Sequence, residues 1–373
     1  MISEQDMYTF ISKDELTPEQ AQIINLKTDS NYVIQGGPGT GKTVIALHRA
    51  AQICNEGKTI ILVFNRPLML YLERILNESG INCTVRTYFS WLAEVYRILG
   101  KQIPKINGED FNPDYKAVIS DLKTYGKKIY KQVVIDECQD FPIDLISAIQ
   151  CVSENVTCFI DPNQAIEHHK TGVEDVLDLL EVESPRTLNK NFRNSNEINE
   201  LAKLFWNNKG VFPESSKNGM KPILVKCQNF GDKDNKVAKI IRDNKDKNIG
   251  VFVNTKKDGW ATYQSILKSV GNEIDVQYWF SSKNQNLDFA KSGVKIFTYG
   301  TIKGLEFDSV IIGWGEKIQS SESEISDKNK LYVAFTRAKE NLYICYFNEN
   351  DKKDSYIDLF TNIQNHKDLC EWK

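Results

Sequence analysis

The sequence predicts an α/β fold of parallel sheets flanked by helices, and three observations carry that prediction. Short apolar runs suited to buried strands, at 59–64, 132–135 and 156–160, alternate with segments of helical periodicity. Residues 31–43 read Asn-Tyr-Val-Ile-Gln-Gly-Gly-Pro-Gly-Thr-Gly-Lys-Thr, which sets a glycine-rich loop between an apolar strand and the start of a helix. The strand at 132–135 ends in Asp136-Glu137, two carboxylates at the end of a parallel strand, where ligands of open α/β sheets bind.

The loop is the element around which the rest is arranged. Gly-x-x-x-x-Gly-Lys-Thr, from Gly36 to Thr43, lets the backbone N–H groups of Gly37, Gly39, Thr40 and Gly41 turn inward around phosphate oxygens. Lys42 then reaches the β- and γ-phosphates, and the Thr43 hydroxyl holds Mg²⁺. The expected ligand is a nucleoside triphosphate.

Composition narrows the class. The chain of 373 residues, 41% hydrophobic and 26% charged, is long enough for two domains, each with its own core. No apolar run approaches the roughly 18 residues of a membrane span, and the start, Met1-Ile2-Ser3-Glu4-Gln5-Asp6, has no basic and apolar leader pattern. Eight cysteines with no Cys-x-x-Cys pair argue against zinc or iron–sulfur sites and point to a reducing, cytoplasmic setting without a membrane partner. A net charge of −3 gives no global attraction to nucleic acid, so any such contact needs a local groove.

In chain order, Leu16-Thr17-Pro18-Glu19-Gln20 reads as a helix start with Thr17 as cap and Pro18 at the first position. By itself it is a well-capped helix; its place just before the loop lets Gln20 present its amide to an adenine edge. The strand at 59–64 leads into the turn Asn65-Arg66-Pro67 and a helix at 68–77, and a short strand from Val85 runs into another helix near Trp91. Residues 100–131, broken by Pro104, Gly108, Pro113 and Gly126, read as a small insertion or loop. Asp136 suits Mg²⁺ and Glu137 suits the attacking water. Gln164, after the strand at 156–160 and within Asp161-Pro162-Asn163-Gln164, is placed to sense the γ-phosphate. The adjacent His168 and His169 read as surface residues, not metal ligands.

A domain boundary is expected near Ser184-Pro185, giving domains at 1–184 and 185–345 and a polar tail at 346–373 with a helix candidate at 354–363. The second half has strand candidates at 222–225, 249–253, 294–298, 309–312 and 342–345, and helices at 196–206, 236–243 and 260–270. It lacks a phosphate loop of its own but reads as a second α/β layer, which suggests a nucleotide clamped between two domains. The charge-dense stretch 242–247 reads as a solvated connection, and the serine-rich 316–330 as a loop.

The ordered motifs resemble the superfamily 1 DNA helicases of the UvrD/Rep type, from Leu16 to Ile344. The resemblance rests on Leu-Thr-Pro-Glu-Gln, the Gly-Gly-Pro-Gly-Thr-Gly-Lys-Thr loop, Asp-Glu-Cys-Gln-Asp at 136–140 and Asp-Pro-Asn-Gln at 161–164. It continues with Asn191-Phe192-Arg193-Asn194-Ser195, Lys303-Gly304-Leu305-Glu306-Phe307 and Tyr332-Val333-Ala334-Phe335-Thr336-Arg337-Ala338. The resemblance implies two RecA-like domains with ATP in the cleft between them. It implies that Phe192 stacks on the adenine that Gln20 reads, that Glu306 touches the ribose, and that Gln164 couples phosphate state to grip on DNA. Arg193 and Arg337 would act as arginine fingers on the γ-phosphate, and Asn65, Arg66, Thr87, Tyr88, Thr298 and Lys303 would lie along the single strand.

Three departures from the family pattern stand out. Few residues separate Trp91 from the strand at Val133, and no large block interrupts 195–294, so the chain is close to a bare motor core. The family's His in Thr-Leu-His-x-x-Lys-Gly-Leu-Glu-Phe is Gly300, and its Phe-His-Ser is Tyr88-Phe89-Ser90, so two polar groups expected on the DNA side are missing. The resulting expectation is a cytoplasmic, Mg²⁺-dependent ATPase that binds single-stranded or partly duplex DNA and moves 3′→5′. A second reading is an ATP-gated regulatory or sensor subunit that partners a nuclease or toxin, as in bacterial phage defence. A third makes RNA the strand.

Overall fold

The computed structural model describes residues 15–106, 112–164, 171–207, 210–280, 287–289, 291–313, 324–347 and 363–373. The chain divides into two units between Leu188 and Asn189, the loop residues Pro38–Thr40 grouping with the second.

The first unit runs α1 (Pro18–Ile24), β1 (Tyr32–Gly36), α2 (Lys42–Ile53), β2 (Thr59–Val63), α3 (Arg66–Glu78), β3 (Thr84–Thr87), α4 (Tyr88–Leu99), α5 (Tyr115–Tyr125), β4 (Tyr130–Ile135), α6 (Ile143–Val152), β5 (Ser153–Ile160), α7 (Val173–Leu180) and β6 (Arg186–Leu188). Its six strands pair in the order β3-β2-β4-β5-β1-β6, every pairing parallel. Parallel strands covered on both faces read as near-continuous apolar runs, which is why 60–63 and 133–135 are apolar throughout. Val133, Val134 and Ile135 are all fully buried, each contributing about 1.5–3 kcal/mol. Because β4, β5 and β1 are neighbours, the residues leaving their carboxyl ends, Asp136, Asp161 and the Gly36 loop, stand in a row.

The second unit opens with the two-stranded pair β7 (Lys190–Asn191) and β8 (Glu214–Ser215), with α8 (Asn196–Lys203) between them. Its main elements are β9 (Ile223–Cys227), α9 (Phe230–Asp243), β10 (Asn248–Val253), α10 (Lys256–Val270), β11 (Val276–Trp279), β12 (Gly293–Thr298), β13 (Phe307–Ile312), α11 (Glu324–Phe335), β14 (Ala338–Phe347) and β15 (Glu371–Trp372). The sheet order is β11-β12-β10-β13-β14-β9-β15, again with parallel pairings only. The mixed α/β class with helix-flanked parallel sheets is as the sequence predicts.

Several local expectations change. The stretch 100–131 is not simply a loop: it holds α5, whose cap Asp114 accepts from the N–H groups of Lys116 and Ala117 at 3.1 Å each. Gly126, at φ +66°, ends that helix in the left-handed conformation, and Val118 and Leu122, four residues apart, bury one face. Arg186–Leu188, beyond the expected boundary at 184, pairs with β1 as the edge of the first sheet. Part of the expected loop at 316–330 is helical from Glu324. The polar tail returns to the sheet, Glu371 and Trp372 pairing with Ile223 and Leu224. The stretch 242–247 is not wholly solvated either. Asn244 is buried, and its Oδ1 accepts from Ser309 Oγ at 3.0 Å and from Asn341 Nδ2 at 3.2 Å. His168, His169 and most of the helix candidate at 354–363 lie outside the described residues. Among the described residues no helix is long and apolar enough to cross a membrane.

Candidate nucleotide-binding site

The phosphate loop bends where it needs glycine. Gly39 and Gly41 take φ +72° and +85°, the left-handed region that L side chains avoid. Gly41 is also the cap residue of α2, with no side chain to satisfy the first helical N–H groups, so those donors remain turned towards the loop. A methyl group on Gly41 would sit 2.6 Å from Gln20 Nε2, so the Gln20 amide packs directly on the loop. Gln20 also completes a capping box, its Oε1 accepting from Thr17 N at 3.0 Å while Thr17 Oγ1 accepts from Gln20 N at 3.3 Å. The capped-helix reading of this element therefore holds, and the same residue borders the loop.

Lys42 is buried, with its ammonium donating to the carbonyls of Gly36 at 2.9 Å and Gly37 at 3.0 Å. One residue on, Thr43 Oγ1 donates to Asp136 Oδ2 at 2.7 Å. That separation is close to the roughly 2.9 Å edge of an octahedron with metal–oxygen distances of about 2.0–2.1 Å, so the two oxygens fit neighbouring positions around one Mg²⁺. Among the described residues no group of three or more His, Cys, Asp or Glu gathers to hold a metal. Burial and the adjacent Glu137 push the Asp136 carboxyl up to about 6, against the Thr43 bond and the Lys42 charge.

Glu137 has φ +57° and ψ +45°, a left-handed conformation in a non-glycine residue. Such a residue costs of order 1–3 kcal/mol and persists where its surroundings over-determine it. Here Glu137 N donates to Asp136 Oδ1 at 3.1 Å, and Gln139 Nε2 donates to Glu137 Oε2 at 2.5 Å. Gln139 Oε1 in turn accepts from Asp161 N at 3.0 Å, which ties the ends of β4 and β5 together. Asp161 is fully buried, and burial raises its carboxyl above the usual range. It accepts from Gln164 Nε2 at 2.7 Å and Asn163 N at 2.9 Å. Thr43 thus meets Asp136 directly, and Glu137 is linked to Gln164 through two residues the sequence reading assigns no role, Gln139 and Asp161. Their presence at strand ends beside the predicted residues was the available signal.

Asn65 caps α3, accepting from Leu68 N at 2.9 Å, and Arg66 is exposed beside it. Thr87 caps α4, with its hydroxyl 3.0 Å from Ser90 Oγ. Tyr88 is half-buried against Phe64 at 5.7 Å between ring centroids and against Phe141 at the same distance. These four residues stand at the carboxyl ends of β2 and β3.

In the second unit, Arg193 Nε donates to Glu306 Oε2 at 2.6 Å and its NH1 to the Thr336 carbonyl at 3.3 Å. Lys339 Nζ lies 3.3 Å from the other Glu306 oxygen. Burial alone raises the Glu306 carboxyl, but Lys339 and Arg193 outweigh it and hold the group at about 2. An asparagine network underlies this cluster. Asn191 Oδ1 accepts from the backbone of Arg193 and Asn194 at 3.0 and 3.1 Å, and Asn194 Nδ2 donates to the carbonyls of Thr336 and Ala338. The turns carrying Arg193 and Arg337 are thereby pinned together. Arg337 itself is buried, donating to the Val333 carbonyl at 3.0 Å and the Leu305 carbonyl at 3.4 Å. Phe192 is 48% exposed, as a ring free to stack requires. Thr298 ends β12, where its carbonyl accepts from Thr301 Oγ1 at 2.9 Å. Lys303, expected along a strand-binding surface, is fully buried.

A family model described as Schlafen group 3, DNA/RNA helicase domain, matches residues 29–341. No curated protein matches the chain. Among solved structures, Dbp5 of S. cerevisiae, bound to RNA and ADP BeF3, is similar over 96% of this chain and 94% of its own at 14% identity, with a TM-score of 0.59, which indicates a shared fold. Arterivirus nonstructural protein 10, a helicase, is similar over 89% of this chain and 63% of its own at 15% identity and a TM-score of 0.42. The C-terminal domain of a possible DNA helicase from Lactobacillus plantarum WCFS1 is similar over 48% of this chain and 98% of its own, at 18% identity and a TM-score of 0.34.

Proposed function

The chain belongs to the family of Schlafen group 3 DNA/RNA helicase domains, and from that premise we propose that it is a Mg²⁺-dependent ATPase that moves along a single nucleic-acid strand. The observation that carries the nucleotide part is the 2.7 Å bond between Thr43 and Asp136, which joins the phosphate loop to the carboxylate at the end of β4. Mg²⁺ held there would neutralise charge on the β- and γ-phosphates. Lys42 binds the same phosphates, and Glu137, steadied by Gln139, accepts the proton of the attacking water. Arg193 and Arg337 supply positive charge to the γ-phosphate, Gln164 reports its presence, Gln20 and Phe192 hold the adenine, and Glu306 holds the ribose.

The strand-binding part is supported by Asn65, Arg66, Thr87 and Tyr88 at the carboxyl ends of β2 and β3 and by Thr298 at that of β12. The order of the motifs favours the UvrD/Rep type, DNA as the strand and 3′→5′ movement, and the scattered cysteines favour a cytoplasmic setting. The test is steady-state ATP hydrolysis with and without single-stranded DNA or RNA, beside Glu137→Gln. Stimulation by a strand, abolished in the variant, is the expected result. Hydrolysis indifferent to both strands overturns the motor and leaves the nucleotide-gated subunit of a nuclease or toxin as the working reading.

A further inference from the structure

The edge of the second sheet carries an aromatic cluster that the nucleotide site does not use. Trp260, on the second turn of α10, is 45% exposed. Its ring centroid lies 4.6 Å from that of Tyr278 on β11, 5.9 Å from Tyr263 and 6.1 Å from Phe280. Tyr278 stacks on Phe280 at 5.2 Å and meets Tyr263 at 4.7 Å. The cluster is rigid from behind: Phe280 is buried, and a methyl group on Gly259 would fall 2.3 Å from its ring. The outer face of this indole, with nearly half its surface in water, gains no burial, so folding alone does not account for it.

Lysines flank it. Lys256 and Lys257, in the first turn of α10, are exposed, and neither makes an ion pair among the described residues. Two ammonium groups in a first turn oppose the helix macrodipole, so helix stability does not account for them. Lys256 and Trp260 are four residues apart and share one face of the helix. Asp258, in the same turn, is buried and accepts from the Thr255 hydroxyl at 2.7 Å, whereas both lysines are exposed. The patch also continues the row of strand ends. β11 pairs with β12 through Trp279 and Phe297, and β12 with β10 through Thr298 and Val253. Phe280, Thr298 and the start of α10 therefore leave the sheet on the same side.

We propose that the Trp260 face of α10 and β11 is a binding surface for single-stranded nucleic acid, with a base stacked on Trp260 and adjacent phosphates met by Lys256 and Lys257. Aromatic faces accept any base, and exposed ammonium groups follow the backbone, which is the chemistry of strand binding without sequence preference. This rests on the strand-binding reading above and adds to it a site that the family motifs do not contain. A protein partner would also value aromatic surface, but paired exposed lysines at its rim favour a polyanion.

The test is binding of fluorescein-labelled (dT)20 and (U)20 to the full chain by anisotropy, at several salt concentrations. Trp260→Ala should weaken binding roughly five- to a hundredfold, and Trp260→Phe should retain most of it. Lys256→Gln with Lys257→Gln should weaken binding and flatten its salt dependence by about one phosphate contact or more. Trp372→Ala, an exposed tryptophan at the opposite edge of the sheet, should change nothing. Wild-type affinity in both the Trp260→Ala and the lysine variants, with the wild type itself binding, overturns this site and leaves strand binding elsewhere intact. A wild type that hydrolyses ATP but binds neither strand overturns both.

Discussion

Arg193 and Lys339 grip the two oxygens of one carboxylate, Glu306, at 2.6 and 3.3 Å. The pair is formed entirely between the turn at 191–194 and the segments at 306 and 336–339, so it fixes the direction in which Arg193 points. Removing the charge by Glu306→Gln should lower stability by about 1.5–3 kcal/mol, the range for hydrogen bonds to charged groups. Urea unfolding of the two proteins at neutral pH checks this, and equal midpoints would mean that the pair contributes only orientation.

The same arginine bears on turnover. If Arg193 supplies charge to the γ-phosphate, Arg193→Ala should cut the hydrolysis rate about 10³-fold or more while nucleotide still binds. Lys339→Met leaves the Arg193–Glu306 bond in place, so its loss in rate should be far smaller. A single-turnover measurement together with binding of a fluorescent nucleotide separates the two. Comparable losses in both variants would mean that Arg193 acts by holding the fold.

Gln139 gives a sharper test of positioning. Its amide holds Glu137 Oε2 at 2.5 Å and the Asp161 backbone at 3.0 Å, while making no contact expected with nucleotide. Gln139→Leu should lower kcat about ten- to a hundredfold with little change in KM, because a misplaced base loses much of its typical 10²- to 10⁴-fold contribution. Glu137→Gln sets the floor. A Gln139→Leu variant with raised KM and normal kcat would assign the residue to binding instead.

Why these residues were or were not legible in the sequence follows from how local their signals are. The phosphate loop, Asp136 and the buried strands declare themselves within a few residues, because glycine at positive φ and unbroken apolar runs are local requirements. Helix α5 was equally local, with Asp114, Gly126 and the Val118–Leu122 spacing in plain view, but the prolines and glycines around it masked the pattern. Gln139, Asn194 and Asn244 carry little local signal beyond the place of the first two beside motif residues. Each is an ordinary polar residue whose role comes from a partner far along the chain: Asp161 for Gln139, Ala338 for Asn194, Asn341 for Asn244. Lys303 shows the converse, a motif position that is buried.

Lys295 supplies a pH-dependent test of the second core. It sits in the middle of β12, buried, with its amine donating to Asn248 Oδ1 and to the Lys291 carbonyl at 2.6 Å each. Burial lowers its pKa to about 8, although Asp275, Asp288 and Asp308 pull the other way. An unfolded lysine titrates near 10.4. Between about 8 and 10.4 the unfolded chain therefore holds a proton that the folded chain has released, and stability must rise with pH across that window. Below 8 both states are protonated and the contribution is flat. Lys295→Met removes the titration, whereas the other groups titrate alike in both proteins. The stability of the wild type relative to the variant should thus stay constant from pH 6 to 8 and climb from pH 8 to 10. Urea midpoints at each pH measure it, and a difference that is flat across the whole range would mean that water reaches the ammonium and its burial is incomplete.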